Sequence, residues 1–246
     1  MKIDFIKKYP GEAGTDYFWT RFLMQSLARQ LIRFYERLDP PPLPKGISLL
    51  RPQADKTVMA LVKTFFNTYY ADNNPRKLIL GINPGRFGAG ITGVNFTAPR
   101  QLRTNCHIDH PFGNSSELSA EFIYEMIEQY GGVKKFYADY FIGAMSPLGF
   151  IKDGKNINYY DDKKLLAILT PFIVSTIRQQ LKIGFGKEVI YCIGGEKNFG
   201  FLSRLNDQFH FFTSIIPLPH PRFIMQYRRK KKQEYIDLYL RHLLVT

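Results

Sequence analysis

Residues 81–97 read Gly-Ile-Asn-Pro-Gly-Arg-Phe-Gly-Ala-Gly-Ile-Thr-Gly-Val-Asn-Phe-Thr, with five glycines in one loop. Glycines at this density permit tight turns and let backbone approach a ligand closely. A phosphate-cradling P-loop would need Gly-Lys-Ser/Thr after the glycines, and none follows. A Gly-x-Gly-x-x-Gly pattern does occur at Gly88, Gly90 and Gly93. It begins several residues past the preceding apolar run, and no second strand ending in an acidic residue follows near Asp109. Nicotinamide or flavin binding therefore rests on that pattern alone. A second point of interest is His220, held between Pro219 and Pro221 and followed by Arg222-Phe223-Ile224-Met225. A third is Cys106-His107-Ile108-Asp109-His110, whose residues are too close together for most closed metal sites without remote ligands. No metal and no cofactor are expected.

These residues need elements to hold them. Residues 77–82 form a short apolar run that ends in Asn83-Pro84-Gly85, which reads as a buried parallel strand delivering a loop at its C-terminal end. Residues 141–145, 188–193 and 211–216 read as three more such strands. Helical patterns fall over 119–130, 162–181 and 223–243, and alternation with strands predicts a parallel sheet with crossover helices. Ligands bind at the carboxyl ends of such strands, which gathers the loops after Ile82, Met145, Ile193 and Ile216 on one rim. Before residue 76 the chain reads as helical. One helix is capped by Thr15 or Asp16 and carries Phe18, Phe22, Leu23, Leu27, Leu31, Phe34 and Leu38 at helical spacing. It is stopped by the proline-rich segment 40–44. Another spans 54–70. The organisation expected is a helical N-terminal extension over 1–75 packed on an α/β domain over 76–246.

The 246 residues carry 34 Lys+Arg against 21 Asp+Glu, a formal charge of +13. With 45% hydrophobic residues, disorder over most of the chain is excluded. The excess charge suggests a polyanionic partner such as nucleic acid. Two cysteines exclude a disulfide framework and a four-cysteine cluster within the chain. No apolar run approaches a membrane span and the first residues lack a signal-peptide core, so a cytoplasmic monomer is expected.

The first motif resembles that of the uracil-DNA glycosylase superfamily, in particular its single-strand-selective monofunctional branch. The resemblance runs through Gly81-Ile82-Asn83-Pro84-Gly85, Phe87-Gly88 and Thr92-Gly93-Val94-Asn95-Phe96, and His220-Pro221 matches the second family motif after the last strand. It covers residues 77–227. It implies an α/β three-layer sandwich with a central, mostly parallel four-stranded sheet. The implied reaction flips uracil or another deaminated base out of single- or double-stranded DNA and hydrolyses its N-glycosidic bond, leaving an abasic site. The resemblance implies that Asn83 holds the water, that His220 stabilises the departing base, and that Phe96 stacks on it. It also implies that the Ile82 and Gly85 backbones line the pocket, with Phe87 and Ser146 as further substrate-binding candidates. No Lys sits in either motif to form a Schiff base, so hydrolysis without strand cleavage is expected. Two departures stand out. Ala144 occupies the position of the branch's base-recognising Asn, and an alternative alignment of the second motif would place Leu218 at the His position. By position, Arg86, Arg222, Phe223, Met225, Arg228, Arg229 and Lys230 are candidate DNA contacts, with Arg100 and Arg103 near the first motif. Residues 222–246 hold seven Lys/Arg and two Asp/Glu. The alternative to an enzyme is an inactive nucleic-acid-binding module of the same fold, which Ala144 favours.

Overall fold

The computed structural model describes residues 26–244. The proposed helix start at Thr15 or Asp16, with Phe18, Phe22 and Leu23, lies outside them. Helix α1 (Leu27–Glu36) is capped by Ser26, whose hydroxyl accepts from the Arg29 N–H, and it buries Leu27, Leu31, Phe34 and Tyr35. It ends before the prolines, as their missing N–H groups require. A strand not expected from the sequence follows, β1 (Ile47–Leu50). Helix α2 (Lys56–Tyr69) then starts on an Asp55 cap that accepts from the Thr57 and Val58 N–H groups.

Strand β2 (Lys77–Gly81) is buried from Leu78 onward and leads into the glycine-rich loop. That loop contains the short helices α3 (Ala89–Thr92) and α4 (Pro99–Thr104). Helices α5 (Leu118–Tyr130) and α6 (Val133–Asp139) return the chain to β3 (Tyr140–Ala144). Two further short strands, β4 (Gly149–Lys152) and β5 (Lys155–Ile157), precede the long helix α7 (Lys163–Ile183). The chain finishes with β6 (Val189–Ile193), α8 (Glu196–Phe209), β7 (Ser214–Leu218), α9 (Pro221–Tyr227) and α10 (Lys232–Leu244).

The main sheet has the order β3-β2-β6-β7, and each pair is parallel. The chain winds outward from β2 to β3 and in the opposite direction from β6 to β7, so the topological switch lies between β2 and β6. Right-handed crossovers then put the connecting helices on opposite faces. On one face Tyr140 and Tyr191 point their hydroxyls at the Leu243 and His242 carbonyls of α10, which packs on α5. On the other, Gly143 lies against Gln180 of α7, and Asn198 of α8 donates to the Cys192 sulfur. This is the three-layer arrangement expected, with a wholly parallel central sheet. No helix of the described residues is long and apolar enough to cross a membrane.

Three details differ from expectation. The last strand is shifted to 214–218 and includes Pro217, which an edge strand tolerates because its outer side needs no donor. Phe211 and Phe212 are core residues ahead of it. The final helix is broken into α9 and α10 by a 3-10 turn at Arg229–Lys231. The break falls within the run of five cations at 228–232, where like charges one turn apart weaken a continuous helix. It also shifts the helical phase, so that Ile236 and Tyr239 are buried while Tyr227 is 61% exposed. Finally, β1, β4 and β5 form a small antiparallel sheet in the order β1-β4-β5.

The N-terminal elements reach directly into the glycine-rich loop. Gln53 donates to the Gly93 carbonyl at 2.7 Å. Gly93 has φ +73°, and a Cβ there would lie 2.6 Å from Val62 of α2. Gly93→Ala is therefore expected to destabilise the fold by about 1–3 kcal/mol, through overpacking and a left-handed backbone. Chemical denaturation checks this; an unchanged midpoint contradicts it.

Candidate active site

The sheet's carboxyl edge carries a cavity of about 130 Å³ lined by both motifs. Its floor is Gly81 and Ala144, paired across β2 and β3. Phe96 folds back over that floor. Its backbone is left-handed, with φ +53°, and a Cβ at Gly81 would lie 2.7 Å from its ring. Thr92 fixes the return. Fully buried, it donates to the Thr97 carbonyl at 2.7 Å and accepts from the Val94 N–H at 3.2 Å.

Asn83 is held by the segment after β5. Its Nδ2 donates to the Pro84 and Ile157 carbonyls, both at 3.3 Å, and its Oδ1 accepts from the Tyr159 N–H at 3.0 Å. The donors are therefore committed, while the carbonyl keeps a second lone pair. Asn156 braces the same loop by accepting from the Arg86 N–H at 3.1 Å. The small sheet sits so close that a side chain at Gly149 would collide with the Pro84 carbonyl.

His220 faces the cavity from the opposite side, its ring centroid 5.9 Å from that of Phe96. It caps α9, and its Nδ1 accepts from the Arg222 N–H at 3.1 Å. An accepting Nδ1 puts the proton of the neutral ring on Nε2. Loss of solvation, aided by the positive charge of Arg222, lowers the pKa from 6.5 to about 4. The turn is anchored by the Tyr239 hydroxyl, which donates to the Pro219 carbonyl. Leu218, the alternative at this position, is buried in the core.

Glu117, which the sequence does not single out, lines the same cavity beside Arg222 and Ser119. Burial raises its carboxyl from 4.5 to about 7, against the opposing pull of Arg222. Gly88, at φ +65°, leaves room for it, since a Cβ there would lie 2.9 Å from the Glu117 carboxyl carbon. A lone Glu before a helix carries no pattern that marks it.

Ile82, Asn83, Gly85, Phe87, Phe96, His220 and Arg222 all line the cavity. Ser146 does not. It is fully buried, bonded to the Leu148 carbonyl at 2.8 Å, and serves as a turn cap. Met225 is also withdrawn, being 4% exposed beneath α9. Phe223 is 43% exposed, with Tyr227 beside it and the Arg228 guanidinium over its ring. Phe223 and Tyr227 border a groove of about 850 Å³ that shares Ile82, Asn156, Asn158, His220 and Arg222 with the cavity. Arg86 stacks over Phe87 at its mouth. Arg228, Arg229 and Lys230 are exposed. Lys231 and Lys232 pair with Glu234 and Glu125. Arg103 is occupied with the Gly113 and His110 carbonyls, and Arg100 lies 3.9 Å from Glu121. Cys106 is buried, and among the described residues no group of three His, Cys, Asp or Glu could hold a metal.

A model of the uracil DNA glycosylase superfamily matches residues 68–244. The crystal structure of wild-type SMUG2 from Pedobacter heparinus matches with a TM-score of 0.85 and 43% sequence identity, covering 89% of this chain and 97% of that one. No curated protein matches. With both motifs meeting in one cavity at the sheet's carboxyl edge, the chain belongs to the uracil DNA glycosylase superfamily, whose members hydrolyse N-glycosidic bonds in DNA.

Proposed function

We propose that the cavity receives a deaminated base flipped from DNA, and that Asn83 and His220 divide the work of cleaving it. The observation that carries this reading is that His220, whose Nδ1 accepts from the Arg222 N–H and whose neutral ring therefore keeps its proton on Nε2, lines the same cavity as Asn83. The C1′–N bond breaks first, and its electron pair leaves with the base as an anion spread over ring nitrogen and carbonyl oxygen. The His220 Nε2–H stabilises that oxygen without giving up its proton. Water held on the free lone pair of Asn83 Oδ1 then bonds to the cationic C1′. Its displaced proton neutralises the base, leaving an abasic sugar and free base. A neutral amide is a poor base, which suits a step in which the cation forms before water attacks. Phe96 stacks on the base, a contact worth roughly 1–3 kcal/mol.

The groove beside the cavity takes the DNA strand. Phe223, exposed at its edge, is placed to fill the gap left in the stack. Arg86, Arg222, Arg228, Arg229 and Lys230 meet phosphates. The protein acts as a monomer in the cytoplasm, on single- or double-stranded DNA.

Oligonucleotides carrying uracil, hypoxanthine or xanthine, incubated with the protein and then treated with alkali, should break at the damaged base. No cleavage of any of them with DNA binding intact would favour the inactive-module reading. Asn83→Ala and His220→Ala should each slow single-turnover cleavage by about 10²–10³-fold with little change in DNA affinity. Replacing Arg228, Arg229 and Lys230 with Gln should weaken DNA binding. It should also reduce the slope of log affinity against log salt by about 1 for each phosphate no longer neutralised, while cleavage of bound DNA persists.

The two shifted groups give opposite pH effects on stability. Glu117 binds its proton more tightly folded than unfolded, so its ionisation destabilises the fold as pH rises from 4.5 past 7. His220 binds its proton more weakly folded, so stability is lost as pH falls from 6.5 towards 4. Glu117→Gln should therefore match wild type at pH 4.5 and melt roughly 2–4 °C or more above it at pH 8. Calorimetry at the two pH values checks the sign.

A further inference from the structure

The floor of the cavity offers a base no side-chain hydrogen bond, since Gly81 and Ala144 end their strands with a hydrogen and a methyl group. The returning loop brings an amide to the same cavity. Asn95 lines the cavity, and its Nδ2 donates to the Ile142 carbonyl at 3.2 Å, two residues before Ala144 on the same face of β3. Its other Nδ2 hydrogen goes to the Tyr35 hydroxyl of α1 at 3.4 Å. A carbonyl oxygen can only accept, so the Ile142 contact fixes which end of the amide is nitrogen. Both donors are thereby spent. Among the described residues no protein donor meets Oδ1, and Asn95 presents an acceptor only.

Base chemistry gives that acceptor a use. Uracil has an N–H at ring position 3, and hypoxanthine and xanthine have one at position 1. Cytosine and adenine have a bare lone pair at the equivalent atom. An oxygen that cannot turn into a donor attracts the first group and repels the second. We propose that Asn95 Oδ1 selects uracil and hypoxanthine over their parent bases cytosine and adenine by accepting the ring N–H, with Tyr35 and the Ile142 carbonyl locking the amide so that it cannot flip to greet cytosine or adenine. This rests on the cavity being the base pocket. It makes the N-terminal helix a contributor to base choice.

The test is binding, which separates selection from the leaving-group chemistry. Single-stranded oligonucleotides carry one uracil or one 3-deazauracil on a 2′-fluoroarabino sugar that resists cleavage. 3-Deazauracil puts a C–H in place of the ring N–H and keeps the ring outline, with its 4-oxygen present as an enol hydroxyl. Wild-type protein should bind the uracil strand about tenfold more tightly than the 3-deazauracil strand, the loss expected when a buried acceptor is left without its donor. In Asn95→Ala the ratio should fall to near one. Equal wild-type affinities overturn the proposal without any variant, and so does a tenfold ratio that survives Asn95→Ala. If wild-type protein binds uracil no better than undamaged DNA, the base-pocket reading itself fails. If it prefers uracil yet ignores the deaza change, only the role of Asn95 fails.

Discussion

Phe96 must come back to lie on the strand from which its own loop departs, and much of the site follows from that return. The ring occupies the space of a missing side chain at Gly81. To reach it, the backbone goes left-handed at Gly88, Gly93 and finally at Phe96 itself. The glycines accept this at little cost, but a non-glycine residue in that region is strained by about 1 kcal/mol or more. Thr92 and Thr97 offset it with buried hydrogen bonds inside the loop, and Thr97 is tied to Tyr124 of α5. The aromatic platform, the cavity floor and the orientation of Asn95 are thus consequences of one chain reversal.

That reversal is braced from outside the main sheet. The N-terminal elements hold its far side through Gln53 and Tyr35. The small antiparallel sheet holds its near side, where Asn156 meets Arg86 and the backbone at Ile157 and Tyr159 grips Asn83. Because β1 belongs to this sheet, the N-terminal part touches the site by two routes. The water-orienting role proposed for Asn83 needs an amide that cannot rotate, and three backbone groups immobilise it. Rigid support of this kind is what lets one carbonyl lone pair act as a positioned acceptor rather than one of many in solution.

The parallel strands were legible because buried central strands are continuous apolar runs, and 77–82 and 188–193 are such runs ending in glycine-bearing loops. Both site motifs were legible for the same reason, since each follows directly on a strand end. The small sheet was not. Its strands are three or four residues long, and Lys-Asn-Ile of β5 has neither alternation nor an apolar run. The partners of Asn83 are 74 and 76 residues away, which local pattern cannot reveal. Ser146 and Met225 lie outside the cavity because position beside a motif does not fix direction. One turns into its own loop and the other into the core. The helix break at Arg229–Lys231 falls within the run of cations, where apolar periodicity carries no signal of a break.

The charge of the molecule and the charge of its site are kept apart for a reason. The chain carries +13, yet the group proposed to meet a departing anion is a neutral imidazole. A protonated His220 would need solvation that the cavity denies it, and the neighbouring Arg222 makes protonation harder still. An N–H that cannot easily be lost or doubly protonated is a donor of constant character over the whole neutral range. Cations at Arg228, Arg229 and Lys230, in contrast, sit exposed where salt screens them and where they can steer a phosphate backbone from a distance. Moving those charges into the cavity would strengthen attraction to any anion, a phosphate included. Holding them outside would leave the cavity to discriminate by hydrogen-bond direction, through the donor proposed at His220 and the acceptor proposed at Asn95.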